Sequence, residues 1–376
     1  MSKVLGGREK VKVAVAQVAP VFMDKEKTIE KACRYIKEAG ENGAELIVFP
    51  EAFIPGYPAF YTLGYESNPH DWTDYMIALQ DNSVSIPGED TKILGQAARE
   101  AGAYIVMGCN ELSDTPGSQT VYNSLLFMDK NGEVLGRHRK LMPTYTERVY
   151  WGMGDGTDLN VYDTEIGRIG GLICWENHMT LVRAHMINQG EEFHIAVWPG
   201  NWQRGKDQLL DADTSPGGNN CLIQSVARVH AFEAGSFVLS ACGFLTEEDF
   251  PENWDQIKNS DHMNYDWSSG GSAIINPAGR HLFEPHFEKD AILYSDCYAN
   301  QIKAVKAIFD SLGHYSRKDV LQIQHLNGNQ NKEIKTEVKE VINKKIDSQD
   351  VKRISDKYEI EIEKLNDMLD ELKRLI

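Results

Sequence analysis

Residues 168–198 read RIGGLICWENHMTLVRAHMINQGEEFHIAVW. The apolar run 168–173 predicts a buried strand, and a polar turn, Trp175-Glu176-Asn177, interrupts it just after Cys174. Apolar residues at helical spacing over 181–189 predict a helix, and 195–198 predicts a second strand. Strand, helix and strand within so short a span point to an α/β fold. Upstream the same alternation recurs: strand 11–17, helix 25–39, strand 45–49, a loop over 50–58, helix 91–101 and strand 104–108. Two hairpins follow, 121–128 with 132–138 and 160–165 with 168–173, turning at Lys130-Asn131-Gly132 and Ile166-Gly167. Downstream lie helix 221–234, strand 237–241 and a hairpin of 271–275 with 281–283. Strand–helix–strand units mixed with hairpins predict a layered α/β domain built on mixed sheets.

The last 46 residues break this pattern. Segment 331–376 has no Gly, Pro, Phe or Trp and carries 11 basic and 12 acidic residues. Its apolar residues Val351, Ile354, Tyr358, Ile362, Leu365, Leu369, Leu372 and Ile376 step by three and four, a heptad seam with one stutter. Two regions are therefore expected: an α/β body over 1–330 and a charged helical tail over 331–376 that pairs with a partner helix or folds back on the body.

Composition excludes several classes. The chain of 376 residues has a formal charge of −17, which is wrong for a nucleic-acid binder. No apolar stretch is long enough to span a membrane, and residues 1–10 lack a signal-peptide core, so a cytoplasmic protein is expected. The six cysteines, at 33, 109, 174, 221, 242 and 297, form no C-x-x-C pair and no zinc-like spacing with histidine. They read as free thiols, with no metal and no cofactor implied.

Cys174 has the most suggestive setting of the six, at the end of a glycine-containing strand and before a helix start. Backbone N–H groups at such a junction can lower a thiol pKa or hold an oxyanion. The competing reading is a packed core thiol. Glu51 emerges from the strand 45–49 after Pro50, where partial desolvation would raise a carboxylate toward base strength; a solvated loop acid is the plainer reading. Lys140 closes the charged run Arg137-His138-Arg139-Lys140 and Glu147 sits in Thr144-Tyr145-Thr146-Glu147-Arg148; neither is decisive alone. Together, a thiol, a carboxylate and an ammonium supply the nucleophile, base and cation that attack on a C≡N or C(=O)N carbon requires.

Three blocks carry a family resemblance: VFPEAFIPGYP at 48–58, GRHRKL at 136–141 and GGLICWEN at 170–177, with GHYSR at 313–317 as a further signature. On these the body, over about residues 10–325, resembles the nitrilase superfamily. The resemblance implies a four-layer α-β-β-α sandwich that dimerises and often extends into spirals. It implies Glu51 as general base, Lys140 as transition-state stabiliser, Cys174 as nucleophile and Glu147 as a supporting glutamate. The CWEN form, Tyr150-Trp151-Gly152 and Trp198-Pro199-Gly200 resemble true nitrilases, and the CWENHM run is similar to arylacetonitrile-type enzymes.

The expected reaction is hydrolysis of a small-molecule nitrile to a carboxylic acid and ammonia through a cysteine thioimidate and thioester. Tyr57, Trp151, Trp175 and Trp202 follow the catalytic strands and would suit an aryl group, or else fill the core. His138, His178 and His314 read as structural, since the Glu–Lys–Cys set leaves them no essential proton transfer. An amidase or a cyanide hydratase is the alternative within this chemistry. A non-catalytic assembly protein, with the tail as its working part, is the alternative outside it.

Overall fold

A computed structural model describes residues 3–58, 69–200, 220–254, 268–287, 289–323 and 325. The heptad segment 331–376 and Trp202 lie outside the described residues.

Alternation along the strands builds the layers. In β1 (Lys10–Gln17), Val11, Val13 and Val15 enter one core cluster while Ala14 and Ala16 enter another. In β2 (Leu46–Val48), Leu46 and Val48 join the first cluster and Ile47 the second. Likewise Tyr104 and Val106 of β3 (Tyr104–Leu112), and Leu125 and Phe127 of β4 (Val121–Met128), face opposite to Ile105 and Leu126. A strand buried on both faces must be apolar at successive positions, which is why these runs read as continuous rather than alternating hydrophobic.

The second cluster lies between this sheet and two helices. Helix α1 (Lys25–Glu41) contributes Ile29, Ala32, Ile36 and Ala39. Helix α2 (Pro69–Asp81) precedes α3 (Glu89–Ala101), which contributes Leu94, Ala97 and Ala98. Asp24 caps α1, its carboxylate accepting from the Lys27 N–H at 3.0 Å. The first cluster lies between this sheet and a second one. It includes Ile173 of β7 (Gly167–Ile173), Ile195 and Val197 of β8 (Phe193–Trp198) and Leu239 of β9 (Phe237–Cys242). Helices α4 (Thr180–Asn188) and α5 (Asn220–Ala234) add Met186 against Leu172, and Ile223, Ala227 and Ala231.

Each sheet has six strands. With β5 (Val134–Arg139), β6 (Tyr162–Thr164), β10 (Gly270–Ile275), β11 (His281–Phe287) and β12 (Ala291–Tyr298), the orders are β12-β1-β2-β3-β4-β5 and β11-β10-β9-β8-β7-β6. Strands β1 to β3 run parallel, as do β7 to β9; the flanking pairs are antiparallel. The result is the expected α-β-β-α sandwich.

Apart from short 3₁₀ turns, two helices and one strand among the described residues go beyond the sequence reading: α2, α6 (Ala299–Ile308) and β12. In α2 only Leu79 among the side chains described is fully buried, so its sequence carries a weak apolar stripe. In β12 only Leu293 and Cys297 are buried, four positions apart, and Asp296 beside them pairs with Lys10, so the strand carries no alternating apolar period. Among the described residues, no helix is long and apolar enough to cross a membrane.

Candidate active site

Glu51, Lys140 and Cys174 each stand within three residues of a strand end, after β2, β5 and β7. The first two strands belong to one sheet and the third to the other, so the group straddles the sandwich. Glu51 reaches its place because the chain after β2 lies directly on β3 at Gly108. A Cβ at that glycine would stand 1.9 Å from the Pro50 carbonyl oxygen and 2.8 Å from Glu51 Cα. Only a residue without a side chain permits that approach.

The four sequence candidates are gathered in one buried cluster. Lys140 Nζ donates to Glu51 Oε1 at 2.9 Å and to Glu147 Oε2 at 2.7 Å. Lys140 is wholly buried, Glu51 and Glu147 nearly so. Asn123 Nδ2 donates to the same Glu51 oxygen at 2.6 Å, and the Tyr57 hydroxyl donates to Glu147 Oε1 at 2.7 Å. Glu147 also accepts the Thr144 N–H at 2.6 Å, closing the first turn of its short 3₁₀ helix, Tyr145–Val149. Lys140 further lies 5.7 Å from the Trp151 ring centroid, on its electron-rich face. The charged run 137–140 is thus not a solvated face. Strand alternation sends His138 and Lys140 inward, while Arg137 and Arg139 pair with Glu111 and Asp114.

The electrostatics follow from this packing. Burial pushes Glu51 up, and although Lys140 pulls it back the carboxyl settles at about 7. Burial pushes the Cys174 thiol well above its ordinary range, and the Glu51 charge adds to that while Lys140 opposes it. For Lys140 burial acts downward, but the charges of Glu51 and Glu147 and the Glu147 hydrogen bond outweigh it and hold the ammonium protonated. The resting site is a neutral thiol, a cation and a carboxylate of neutral pKa. Glu51 Oε2 is buried and has no hydrogen-bond partner among the described residues.

Cys174 begins a 3₁₀ helix, Cys174–His178, at φ 55°. Ala52 (φ 49°) and Tyr145 (φ 46°) are also left-handed, so three of the five such non-glycine residues described lie within two positions of Glu51, Glu147 or Cys174. Strain of this kind persists only where surrounding structure enforces it, and it concentrates at functional sites. The Trp175 N–H is hydrogen-bonded toward the Cys174 sulfur.

Sequence reasoning missed the groups that hold this turn. Glu176 Oε2 accepts the Ile173 N–H and His138 Nε2, each at 2.9 Å, and Oε1 accepts the Leu141 N–H at 2.7 Å. Asn177 Nδ2 donates to the carbonyls of Cys174 (2.9 Å) and Leu172 (3.3 Å), and its Oδ1 meets His194 Nε2 at 2.9 Å. His194 Nδ1 in turn meets Glu191 Oε2 at 2.9 Å, and His230 Nε2 meets Glu191 Oε1. Glu191, His194 and His230 offer donor atoms within 4.8 Å of one another, the residue types of a three-ligand metal site. Their hydrogen bonds to each other and to Asn177 account for the grouping without an ion. The signal available in the sequence was an acid and an amide, Glu176 and Asn177, inside an otherwise apolar strand–helix junction.

The aromatic candidates separate. Tyr57 is buried against Trp151 with ring centroids 5.4 Å apart, and Trp151 Nε1 donates to Asn110 Oδ1 at 2.8 Å. Trp175 is 37% exposed, its ring beside His178. A small cavity opens next to Glu51, lined by Pro50, Tyr57, Pro199, Phe244 and Leu245 among others. Of these residues only Glu51 and Tyr57 are site candidates from the sequence.

Comparison with known proteins follows the same line. Residues 12–307 match the carbon-nitrogen hydrolase family. Nitrilase 1 of Arabidopsis thaliana is 37% identical over 319 residues, covering 83% of this chain and 86% of the relative. An aliphatic nitrilase of Sinorhizobium fredii is 36% identical over 316 residues, covering 84% and 95%. Among solved structures, a carbon-nitrogen hydrolase of Helicobacter pylori superposes with a TM-score of 0.62 at 18% identity, covering 83% of this chain and 96% of that one, a likeness of fold. The chain is a carbon-nitrogen hydrolase, a member of the nitrilase branch of that family.

Proposed function

We propose that this enzyme hydrolyses a nitrile to a carboxylic acid and ammonia through a covalent Cys174 intermediate, with an aromatic nitrile or arylacetonitrile as substrate. The observation that carries the mechanism is the Lys140 ammonium held between the Glu51 and Glu147 carboxylates, coupled electrostatically to a buried thiol.

The thiol does not ionise by itself near neutral pH, so it needs a base. Glu51, with one free oxygen and a pKa of about 7, takes the proton as Sγ bonds to the nitrile carbon. The same proton passes to the nitrile nitrogen, giving a thioimidate. Lys140 Nζ and the Trp175 N–H stabilise the charge that develops on that nitrogen. Water then adds, Glu51 taking its proton and passing it to the nitrogen. Glu51 next relays the new hydroxyl's proton to that amine, the C–N bond breaks as ammonia leaves, and a thioester remains beside an ionised Glu51. A second water, deprotonated in the same way, releases the acid and returns the proton to sulfur. If the C–S bond breaks in the first tetrahedral intermediate, the product is the amide. Tyr57 orients Glu147, and Glu147 holds Lys140 at its second hydrogen bond. Tyr57 and the apolar wall of the cavity around it, with Phe244 and Leu245, favour a flat apolar substituent.

The test is a product assay on phenylacetonitrile, benzonitrile, an aliphatic nitrile, cyanide and the matching amides. Acid and ammonia from an aromatic nitrile, ahead of the aliphatic one, is the expected result. Turnover of amides alone would reassign the enzyme as an amidase, and formamide from cyanide as a cyanide hydratase. The pH profile makes a second prediction. Glu51 must be ionised to act, so kcat/KM should rise with pH through a limb near 7. It should then hold level, because Lys140 stays protonated well above that. A rate independent of pH between 5 and 8 would remove Glu51 from the base role.

A further inference from the structure

The sequence and the reaction assign Glu176 nothing, yet it is buried, charged and in contact with both halves of the site. Its Oε2 accepts from Ile173 N–H, the residue before the nucleophile, and its Oε1 accepts from Leu141 N–H, the residue after the cation. Ile173 ends β7 and Leu141 follows β5, strands of different sheets. Capping the 3₁₀ helix 174–178 would occupy one oxygen; the other reaches across the sandwich. His138 explains how this carboxylate is tolerated. Its Nε2 faces Glu176 Oε2 at 2.9 Å and its Nδ1 faces Asp158 Oδ1 at 3.1 Å, so both nitrogens meet acceptors and both must donate. Burial alone would discharge the ring, but the Glu176 charge and the two carboxylate hydrogen bonds raise it to about 10. The buried acid therefore has a permanent counter-ion.

We propose that Glu176 is a positioning residue that sets the separation of the Lys140 ammonium from the Cys174 sulfur, by holding the backbone next to each on one carboxylate steadied by His138. The inference rests on the roles given above to Lys140 and Cys174. Loss of the clamp lets the two loops drift apart, and a displacement on the order of 1 Å at reacting groups costs about 100-fold in rate.

The experiment uses the full chain and two readouts. In Glu176→Gln the side-chain volume is kept, but an amide N–H2 must face one of the backbone donors. The expected result is kcat for the best nitrile down about 100-fold with KM within about twofold. His138→Gln, which retains one donor toward Glu176, should lose about tenfold. The second readout is the rate of Cys174 alkylation by iodoacetamide, followed by mass spectrometry of the peptide bearing it. The thiol proton goes to Glu51 as the C–S bond forms and iodide leaves, so the rate reports the thiolate that Lys140 favours. Lys140→Gln and Glu176→Gln should each slow it, and the double variant should be no slower than Lys140→Gln alone. Additive effects, or unchanged kcat in Glu176→Gln, would overturn the clamp. If Glu176→Gln does not fold, the same cycle is run with His138→Gln. A wild-type enzyme that turns over no nitrile but shows the non-additive alkylation pattern would sink the substrate reading and keep the clamp.

Discussion

Replacing Cys174 with alanine should abolish acid and ammonia release, a loss of about 10⁴-fold or more in kcat, with the melting temperature near that of the parent. No other thiol described can take over. Cys109, Cys242 and Cys297 are buried and Cys33 is half-buried, and burial pushes all four thiols up, Cys242 to about 12. None of them has Lys140 as a neighbour that lowers its pKa. The substitution removes one sulfur and leaves a Cβ at the same left-handed φ, so it neither relieves nor adds backbone strain. Ammonia release and thermal melts, measured side by side, separate chemistry from folding. Undiminished turnover in this variant would mean that another residue attacks the substrate.

Lys140→Met should have the second largest effect, and it should show in stability as well as in rate. The substitution leaves the buried Glu51 and Glu147 carboxylates without the cation that binds both. Breaking a buried ion pair from one side costs about 3–5 kcal/mol, because the orphaned charge remains desolvated. Loss of the charge that stabilises the thioimidate nitrogen should lower kcat by about 10³-fold. The stability loss has a defined pH sense. Burial and the Glu147 charge already raise Glu51 above its ordinary 4.5, and without Lys140 nothing comparable opposes them. The folded variant then binds a proton that the unfolded chain has released, so its stability falls as pH rises above about 4.5. Melting temperatures at pH 5 and pH 8 should therefore diverge from wild type most at pH 8. Equal deficits at both values would show that the carboxylates find other compensation.

Most of the fold was legible because its strands are short apolar runs with turn residues at their ends. The residues that follow β2 and β7, Glu51 and Cys174, could be picked out for the same reason: a polar group just past a buried strand is conspicuous. Lys140 was ambiguous in sequence only until strand period was applied, since alternation along 137–140 places it with His138 on the inner face. What escaped was set by distance in the chain. The role of Glu176 depends on Leu141, 35 positions earlier, and that of His194 on Asn177 and on a glutamate next to an apolar strand. Nothing local marks such partners. The cavity residues Phe244 and Leu245 come from a segment after β9 whose approach to Glu51 is purely tertiary.

The pairing of β12 with β1 bears on how the protein is made. All eight residues of β1 are matched, from Lys10↔Tyr298 to Gln17↔Ala291. A chain emerging from the ribosome completes the first sheet's other strands early, but one border of β1 waits for Ala291–Tyr298 to be translated. Through that interval the nascent chain holds an unsatisfied row of backbone donors and acceptors, the kind of edge that recruits neighbouring polypeptides. Nearly the whole first unit, which ends at Ile323, must therefore exist before its earliest strand is protected.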